Sequence, residues 1–296
     1  MNRNFQILVL IFLIIFAIFW LFSPQEAYKK FLKIKVSTAN LKNTTSITGD
    51  TSYIHSNWVK QTKNQELRIY SQNGEDGVLL WIFANVGTIN KPPRFVEFGT
   101  QEGQQCNTRF LRQQLGWQGL MMDGGHDIPN INLHKEIITP KNINDLLAKY
   151  QTPSLIDLLS IDIDFDDYFV WKSILQAKRF HARAVVIEYN YAIPPNENRV
   201  VDPHQDSRRW TGSDYYGASM LAMAALGRAY NYTLIYADKI GVNLFFIQTS
   251  ILIEQNILHK VPSIKDLHIS KPAKYWKHPT ELDKTRRWIW NDTVWI

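Results

Sequence analysis

Residues 94–125 read RFVEFGTQEGQQCNTRFLRQQLGWQGLMMDGG, and the order of residue types in this stretch decides the fold class. A short apolar run (Phe95, Val96, Phe98) carries Glu97 and opens into a loop with Gly99 and Gly103. An amphipathic stretch follows, then a second apolar run, Leu120 to Met122, that ends on Asp123. The pattern predicts strand, glycine turn, helix, strand and acidic tip. In open α/β sheets this arrangement holds a nucleoside: glycines let the backbone approach the ligand, and an acid about 20 residues on receives ribose hydroxyls. The plainer alternative is a βαβ unit whose glycines serve only the turn.

The alternation continues outward from this stretch. Lys135 to Thr139 (KEIIT) reads as a short strand, and Asn142 to Tyr150 as a helix with Ile143, Leu146 and Leu147 on one face. Leu155 to Asp164 and Ala182 to Tyr189 read as strands buried on both faces, each ending in acids. An apolar helix is expected over 217–230, with Asp214 as a candidate cap, and TLIYADKIGVNLFFI (233–247) as two strands turning around 238–241. The expected fold is therefore α/β, a mainly parallel Rossmann-like sheet closed by an antiparallel hairpin. Ligands of such sheets sit outside the carboxyl ends of the strands. Glu97, Gly99, Asp123, Asp162, Asp164, Glu188 and Asn190 should converge there. A single carboxylate at a strand tip is explained by capping; polar residues at four tips of one edge predict a polar site.

Both ends of the chain are different in character. From Phe5 to Phe22 only Gln6 is polar, about 18 residues or roughly 27 Å of helix, enough to cross a bilayer core. Phe19, Trp20, Leu21 and Phe22 run bulky into Ser23 and Pro24, with no small-residue cleavage site. An uncleaved signal-anchor is thus expected in place of a signal peptide, making the chain a single-pass membrane protein. Lys29, Lys30, Lys33 and Lys35 outweigh Arg3 and favour a cytoplasmic domain. Three acceptor sequons, at Asn43, Asn231 and Asn291, favour a secretory lumen, the ER or Golgi in a eukaryotic host. Both topologies stay open. The expected division is a flank and anchor over 1–24, a Ser/Thr/Asn/Lys-rich stem over 25–65, a folded domain over 66–255, and a tryptophan-rich extension over 256–296. The extension, with Trp276, Trp288, Trp290 and Trp295, reads either as a partner- or membrane-binding segment or as a tail packed on the domain; the second is expected. The net charge of +6 is spread along the chain, with no basic and aromatic stripe, which argues against nucleic acid as a partner. A single cysteine, Cys106, excludes an internal disulfide framework.

The spacing Glu-x-Gly-x-x-x-Gly, without GxGxxG, suits S-adenosylmethionine better than a dinucleotide. Several stretches together resemble the FkbM-type family of S-adenosylmethionine-dependent methyltransferases, including membrane-anchored, Star-like members. They are YSQNGEDGVLLWIF (70–83), FVEFGTQEGQQCNTRFL (95–111), GLMMDGG (119–125), LLSIDIDFDDYFVWKSI (158–174), VVIEYNYAIPP (185–195), DYYGASMLAMAALG (214–227) and GVNLFFI (241–247). SQNGED is the most specific of them. The resemblance implies a class I methyltransferase fold with a seven-stranded sheet. It implies a cofactor cradle of Glu97, Gly99, Thr100, Gly103, Asp123 and Gly124, with Asp123 on the ribose and Asp162 near the methyl group. One departure is Gln101, which stands where many methyltransferases carry a third glycine.

Methyl transfer from a sulfonium is a direct displacement, assisted by a base where the acceptor is a hydroxyl. Asp162, Asp164 and Glu188 are the candidate catalytic groups, and Asp162 and Asp164, with Asp166 and Asp167 close behind, are candidate ligands of a divalent cation. The expected acceptor is a small molecule or glycan. Two other readings remain. Anchor, stem and the Asp162-Ile163-Asp164 pair are also how Golgi glycosyltransferases are organised, the pair holding Mn²⁺. A non-catalytic, membrane-tethered binding or trafficking protein, with a protein partner, would keep the same fold as a scaffold.

Overall fold

The structure, a computed structural model, describes residues 57–204, 212–268 and 287–290. The expected anchor at 5–22, the stem as far as 56 and the sequons at Asn43 and Asn291 lie outside the described residues. Among the described residues no helix is long and apolar enough to cross a membrane.

Seven strands form one sheet: β1 (Arg94–Phe98), β2 (Gln118–Asp123), β3 (Leu133–Lys135), β4 (Leu155–Ile161), β5 (His181–Glu188), β7 (Tyr232–Ala237) and β8 (Asn243–Gln248). Their order is β3-β2-β1-β4-β5-β8-β7. The first five are parallel, whereas β8 runs antiparallel between β5 and β7. The fold is thus α/β and Rossmann-like. Leu158, Leu159, Ser160 and Ile161 are all buried in succession. Successive strand residues face opposite sides, so both faces of β4 are covered.

The helices follow from the same patterning. They are α1 (Trp58–Gln61), α2 (Glu75–Val86), α3 (Arg109–Leu115), α4 (Ile143–Lys149), α5 (Asp167–Ala177), α6 (Met220–Ala229), α7 (Thr249–Glu254) and α8 (Ile264–Leu267). Helix α2 is apolar all round, and Val78 to Phe83 are buried without a break. Such a helix must be covered on its outer side as well. Trp58 and Val59 of α1 are buried in the same core, the Trp81 indole N–H donates to Trp58 O (3.0 Å), and Trp58 donates to Gln255 Oε1 (2.9 Å). Residues 57–65, expected in the stem, are therefore part of the folded domain.

The SQNGED segment has a local physical account. Asp76 Oδ2 accepts the backbone N–H groups of Ile69, Tyr70 and Ser71 and the Ser71 hydroxyl, all within 2.9 Å. A side chain at Gly77 would strike Gln65 O and Leu67. Glycine lets the 65–67 segment lie directly on α2, and from there Glu66 reaches Tyr236 Oη and Lys239 N–H at 2.7 Å each.

Two expectations need correction, and one element was not anticipated. The third strand is 133–135 and not 135–139, and Ile137 is 74% exposed. Pairing ends there because Asn142 turns the chain away, accepting from Thr139 N–H and donating to Ile137 O. Helix α6 starts at Met220 and is capped by Ser219, whose Oγ accepts Ala222 N–H at 3.0 Å, in place of Asp214. A second, two-stranded sheet pairs β6 (Arg199–Val201) antiparallel with β9 (Trp288–Trp290). Trp288 packs on Tyr215 at 4.7 Å between centroids, and the Tyr215 hydroxyl accepts Asp202 N–H and donates to Arg287 O. This part of the tryptophan-rich extension packs back on the domain.

Candidate functional site

The strand order reverses between β1 and β4, since β1 leads outward to β2 and β4 to β5 in the other direction. A crevice opens at such a switch point, at the carboxyl ends of the two strands. Two loops meet there. After β1, Gly99 takes a left-handed backbone (φ 71°), and a Cβ on it would collide with Asp162 O just past β4. Only glycine permits this approach.

The glycine loop is built by buried acids. Glu97, 3% exposed, accepts Asn107 N–H at 2.7 Å, Thr108 N–H at 3.2 Å, the Thr108 hydroxyl and the Ser160 hydroxyl at 3.3 Å. Burial raises its pKa against those bonds. Glu97 thus ties β1 to the start of α3 and to β4, with its oxygens turned onto the protein. Thr100 is buried, Gly103 has φ 73°, and Gly124 is exposed with open space where a Cβ would stand. Gln101 is exposed and itself left-handed, φ 48°, a conformation that costs a residue with a Cβ roughly 1–2 kcal/mol. The backbone therefore keeps a glycine-like turn at the position where glycine is missing. Burial, with Glu97 beside it, pushes the Cys106 thiol well above its ordinary value, so it is a packing group and not a nucleophile.

Asp123 stands at the tip of β2, as expected, and it already carries bonds. Its Oδ2 accepts Gln101 N–H at 2.8 Å, while Oδ1 accepts Gly125 N–H at 2.7 Å and His126 N–H at 3.1 Å and lies 2.8 Å from the His126 ring. Burial works against the charged form, but the bonds from Gly125, His126 and Gln101 outweigh it and hold the carboxyl below its usual range. With a single bond on Oδ2, that oxygen keeps one lone pair for a ligand hydroxyl.

Asp162, Asp164 and Glu188 come together across β4 and β5, with one ligand-type oxygen from each lying within 4.8 Å of the others. Asp162 and Glu188 are half-buried and Asp164 is exposed. Among the described residues no Lys or Arg is paired with any of them. Burial, then the neighbouring carboxylates Asp167, Asp164, Glu75 and Glu97, pushes Asp162 well above the carboxylate range. Glu188 is raised in the same way by burial, then by Asp162, Asp167 and Asp164. Although the residue as a whole is exposed, the carboxyl of Asp164 is partly desolvated, and that together with the charge of Asp123 raises its pKa. Asp164 also holds a left-handed backbone, φ 68°, of the strained kind that gathers at functional sites.

Two acids complete the cluster. Asp167 opens α5, is fully buried and accepts Ile163 N–H at 2.8 Å; its pKa is pushed up to about 7, chiefly by burial. Glu75, the acid of SQNGED without an assigned role, is 1% exposed and accepts Asn73 N–H and the Asn243 amide while its charge bears on Asp162. Its place at the first helical position after Gly74 was the available signal. Asn190, wholly buried, does not face a ligand: its amide donates to Asp214 O and Tyr216 O and organises the segment between β5 and α6. A cavity of about 750 Å³ lies on the flank, between α6, β7 and residues 261–267, and no carboxylate lines it. The chain matches no protein-family model, and no curated protein gives a significant match.

Proposed function

We propose that the chain is an S-adenosylmethionine-dependent methyltransferase of the class I fold, acting on a hydroxyl of a small-molecule or glycan acceptor. The observation that carries this reading is the crevice between β1 and β4, where the left-handed Gly99 loop lies on Asp162, with Asp123 on one side and Asp164 and Glu188 on the other. The strand order β3-β2-β1-β4-β5-β8-β7, with a single antiparallel strand inside the sheet, supports it, as does the resemblance of the quoted stretches to the FkbM-type family.

The residues present fit such a cofactor. Gly99, Thr100, Gly103 and Gly124 would cradle it, with Glu97 holding the loop from beneath, and the open lone pair on Asp123 Oδ2 would take a ribose hydroxyl. When bound it supplies an electrophilic methyl group on a sulfonium. Asp162, beside the Gly99 backbone, would receive the acceptor's proton; burial and the neighbouring carboxylates raise its pKa, which makes it a stronger base than a free carboxylate. Glu188 and Asp164 would orient the acceptor.

One observation favours a second reading, a membrane-tethered scaffold without catalysis. Gln101 and Asp123 close the glycine loop on itself through a 2.8 Å bond. Calorimetric titration of the full chain with S-adenosylhomocysteine decides between them. Saturable binding that Asp123→Ala weakens about tenfold or more, the cost of a lost charged acceptor, upholds the methyltransferase reading. No heat of binding, with the chain folded, favours the scaffold.

A further inference from the structure

We infer that the tips of β4 and β5 hold one divalent, oxygen-preferring cation, with Asp162, Asp164 and Glu188 as its protein ligands and Asp167 as the buried charge behind them. The geometry suits one ion. Oxygens that share a cation at about 2.0–2.6 Å lie no more than about 4–5 Å apart, and the three carboxylates satisfy this, with ligand oxygens within 4.8 Å of one another.

A cluster of acids alone is not a site, and a separate observation points to a ligand here. Asp167 is 0% exposed; its Oδ1 is used by Ile163 N–H, the amide between Asp162 and Asp164, and its Oδ2 has no hydrogen-bond partner. Its charge bears on Asp162 and on Glu188. The buried Glu188 Oε2 has no partner either. Buried polar oxygens are nearly always satisfied, and an exception calls for an ion, a water or a catalytic role. Asp238, buried in the same domain, shows what satisfaction looks like: it accepts the N–H groups of Gly241, Val242 and Asn243 within 2.8 Å. At the β4 and β5 tips the donors are missing, and a cation would replace them.

The ligand set selects the ion. All the donors are carboxylate oxygens, without thiolate or imidazole, which suits Mg²⁺, Mn²⁺ or Ca²⁺ better than Zn²⁺ or Cu²⁺. Three ligands leave about half of a six-coordinate shell open towards the crevice. In the methyltransferase reading, on which this last step alone rests, those positions would receive acceptor oxygens and lower the pKa of the attacking hydroxyl.

The test is Mn²⁺ binding to the full chain, freed of metal by EDTA and dialysis, with neither cofactor nor acceptor present. Loss of the free-ion electron paramagnetic resonance signal reports uptake. One Mn²⁺ per chain is expected, displaced by excess Mg²⁺ or Ca²⁺, with affinity at least tenfold lower in Glu188→Gln and in Asp164→Asn and unchanged in the exposed control Glu254→Gln. Asp164→Asn is the more conservative variant, because asparagine accepts the left-handed backbone and the site there is exposed. The absence of saturable uptake, or uptake equal in wild type and both variants, overturns the inference. Titration of S-adenosylhomocysteine on the same sample separates the two proposals: Mn²⁺ uptake without nucleoside binding removes the methyltransferase reading and leaves the cation site, and the reverse result removes the cation site alone.

Discussion

The two ends of β4 carry the same residue type and use it in opposite ways. At the amino end, Asp157 is fully buried and satisfied: Oδ1 accepts Ile89 N–H at 2.6 Å, and Oδ2 accepts Arg94 N–H at 2.8 Å and the Asn90 amide at 2.9 Å. It fastens the entry of β1 to β4. Past the carboxyl end, Asp162 meets Asp164, Glu188 and Asp167, four carboxylates with few donors among them. Burying a charge without compensation is costly. The amino end has compensated its charge with the fold's own amides, and the carboxyl end leaves that compensation to protons or a ligand. The contrast separates acids whose charge the fold's own amides compensate from acids whose charge they do not.

The sharpest way to break this contrast is to remove Asp157. Asp157→Ala strands two backbone amides and should cost about 3 kcal/mol or more, read as a lower urea midpoint. Asp164→Asn should cost less than about 0.5 kcal/mol, as surface changes usually do. Equal losses at the two positions would erase the distinction.

The next effect concerns turnover. Asp162→Asn keeps size and removes charge, so it should lower kcat about 10²-fold on an established acceptor while leaving S-adenosylhomocysteine affinity nearly unchanged. A variant with full activity would take the carboxyl end of β4 out of the chemistry.

Somewhat smaller is the pH response. Asp167, raised to about 7, and Asp162 and Glu188, raised in the same direction, keep protons in the folded chain that the unfolded chain has released near pH 4. The folded state then binds more protons, so their contribution to stability is fully present below about pH 4 and is lost as pH rises, Asp167's share being lost through about 7. A decline on the order of 2 kcal/mol between pH 5 and pH 8 is expected without divalent cations, and Mn²⁺ should abolish it if the cluster binds the ion. Flat urea midpoints across that range would mean the acids are compensated in some other way.

The smallest effect is at Gln101. Gln101→Gly relieves the left-handed backbone but loosens the unfolded chain, for a net gain of about 0.5 kcal/mol. If the loop cradles a nucleoside, affinity for S-adenosylhomocysteine should rise severalfold as well. Lower stability would show that the glutamine side chain holds the loop.

Much of this fold was legible in the sequence because its signals are local. The run Phe95 to Asp123 reads directly as strand, glycine turn, helix and strand, and the turn at Asp238 to Gly241 announces the closing hairpin. The misreadings have physical causes. The β-branched residues at 137 and 138 looked like strand, but the sheet edge pairs only through Lys135. The three-residue strands β6 and β9 carry too little pattern to be recognised, and their pairing depends on Tyr215 and on residues about 90 apart in the chain. Residues 57–65 resembled a polar stem because only Trp58, Val59 and Thr62 point inward.

By itself the sequence determined which residues could serve at the strand tips, since apolar runs that end in acids follow from period and turn chemistry alone. It also placed Asp162, Asp164 and Glu188 at one edge. Only the tertiary structure decided which acids are fasteners and which are uncompensated. Asp157 takes its donors from residues 63 and 68 positions away in the chain, and Asp76 takes its own from a loop folded back over α2. Asp167, three residues from Asp164 and chemically identical, accepts a single backbone N–H, from Ile163, where Asp76 accepts three and a hydroxyl. A carboxylate's role depends on the donors that surround it, and those donors arrive through folding, from parts of the chain that no local pattern connects.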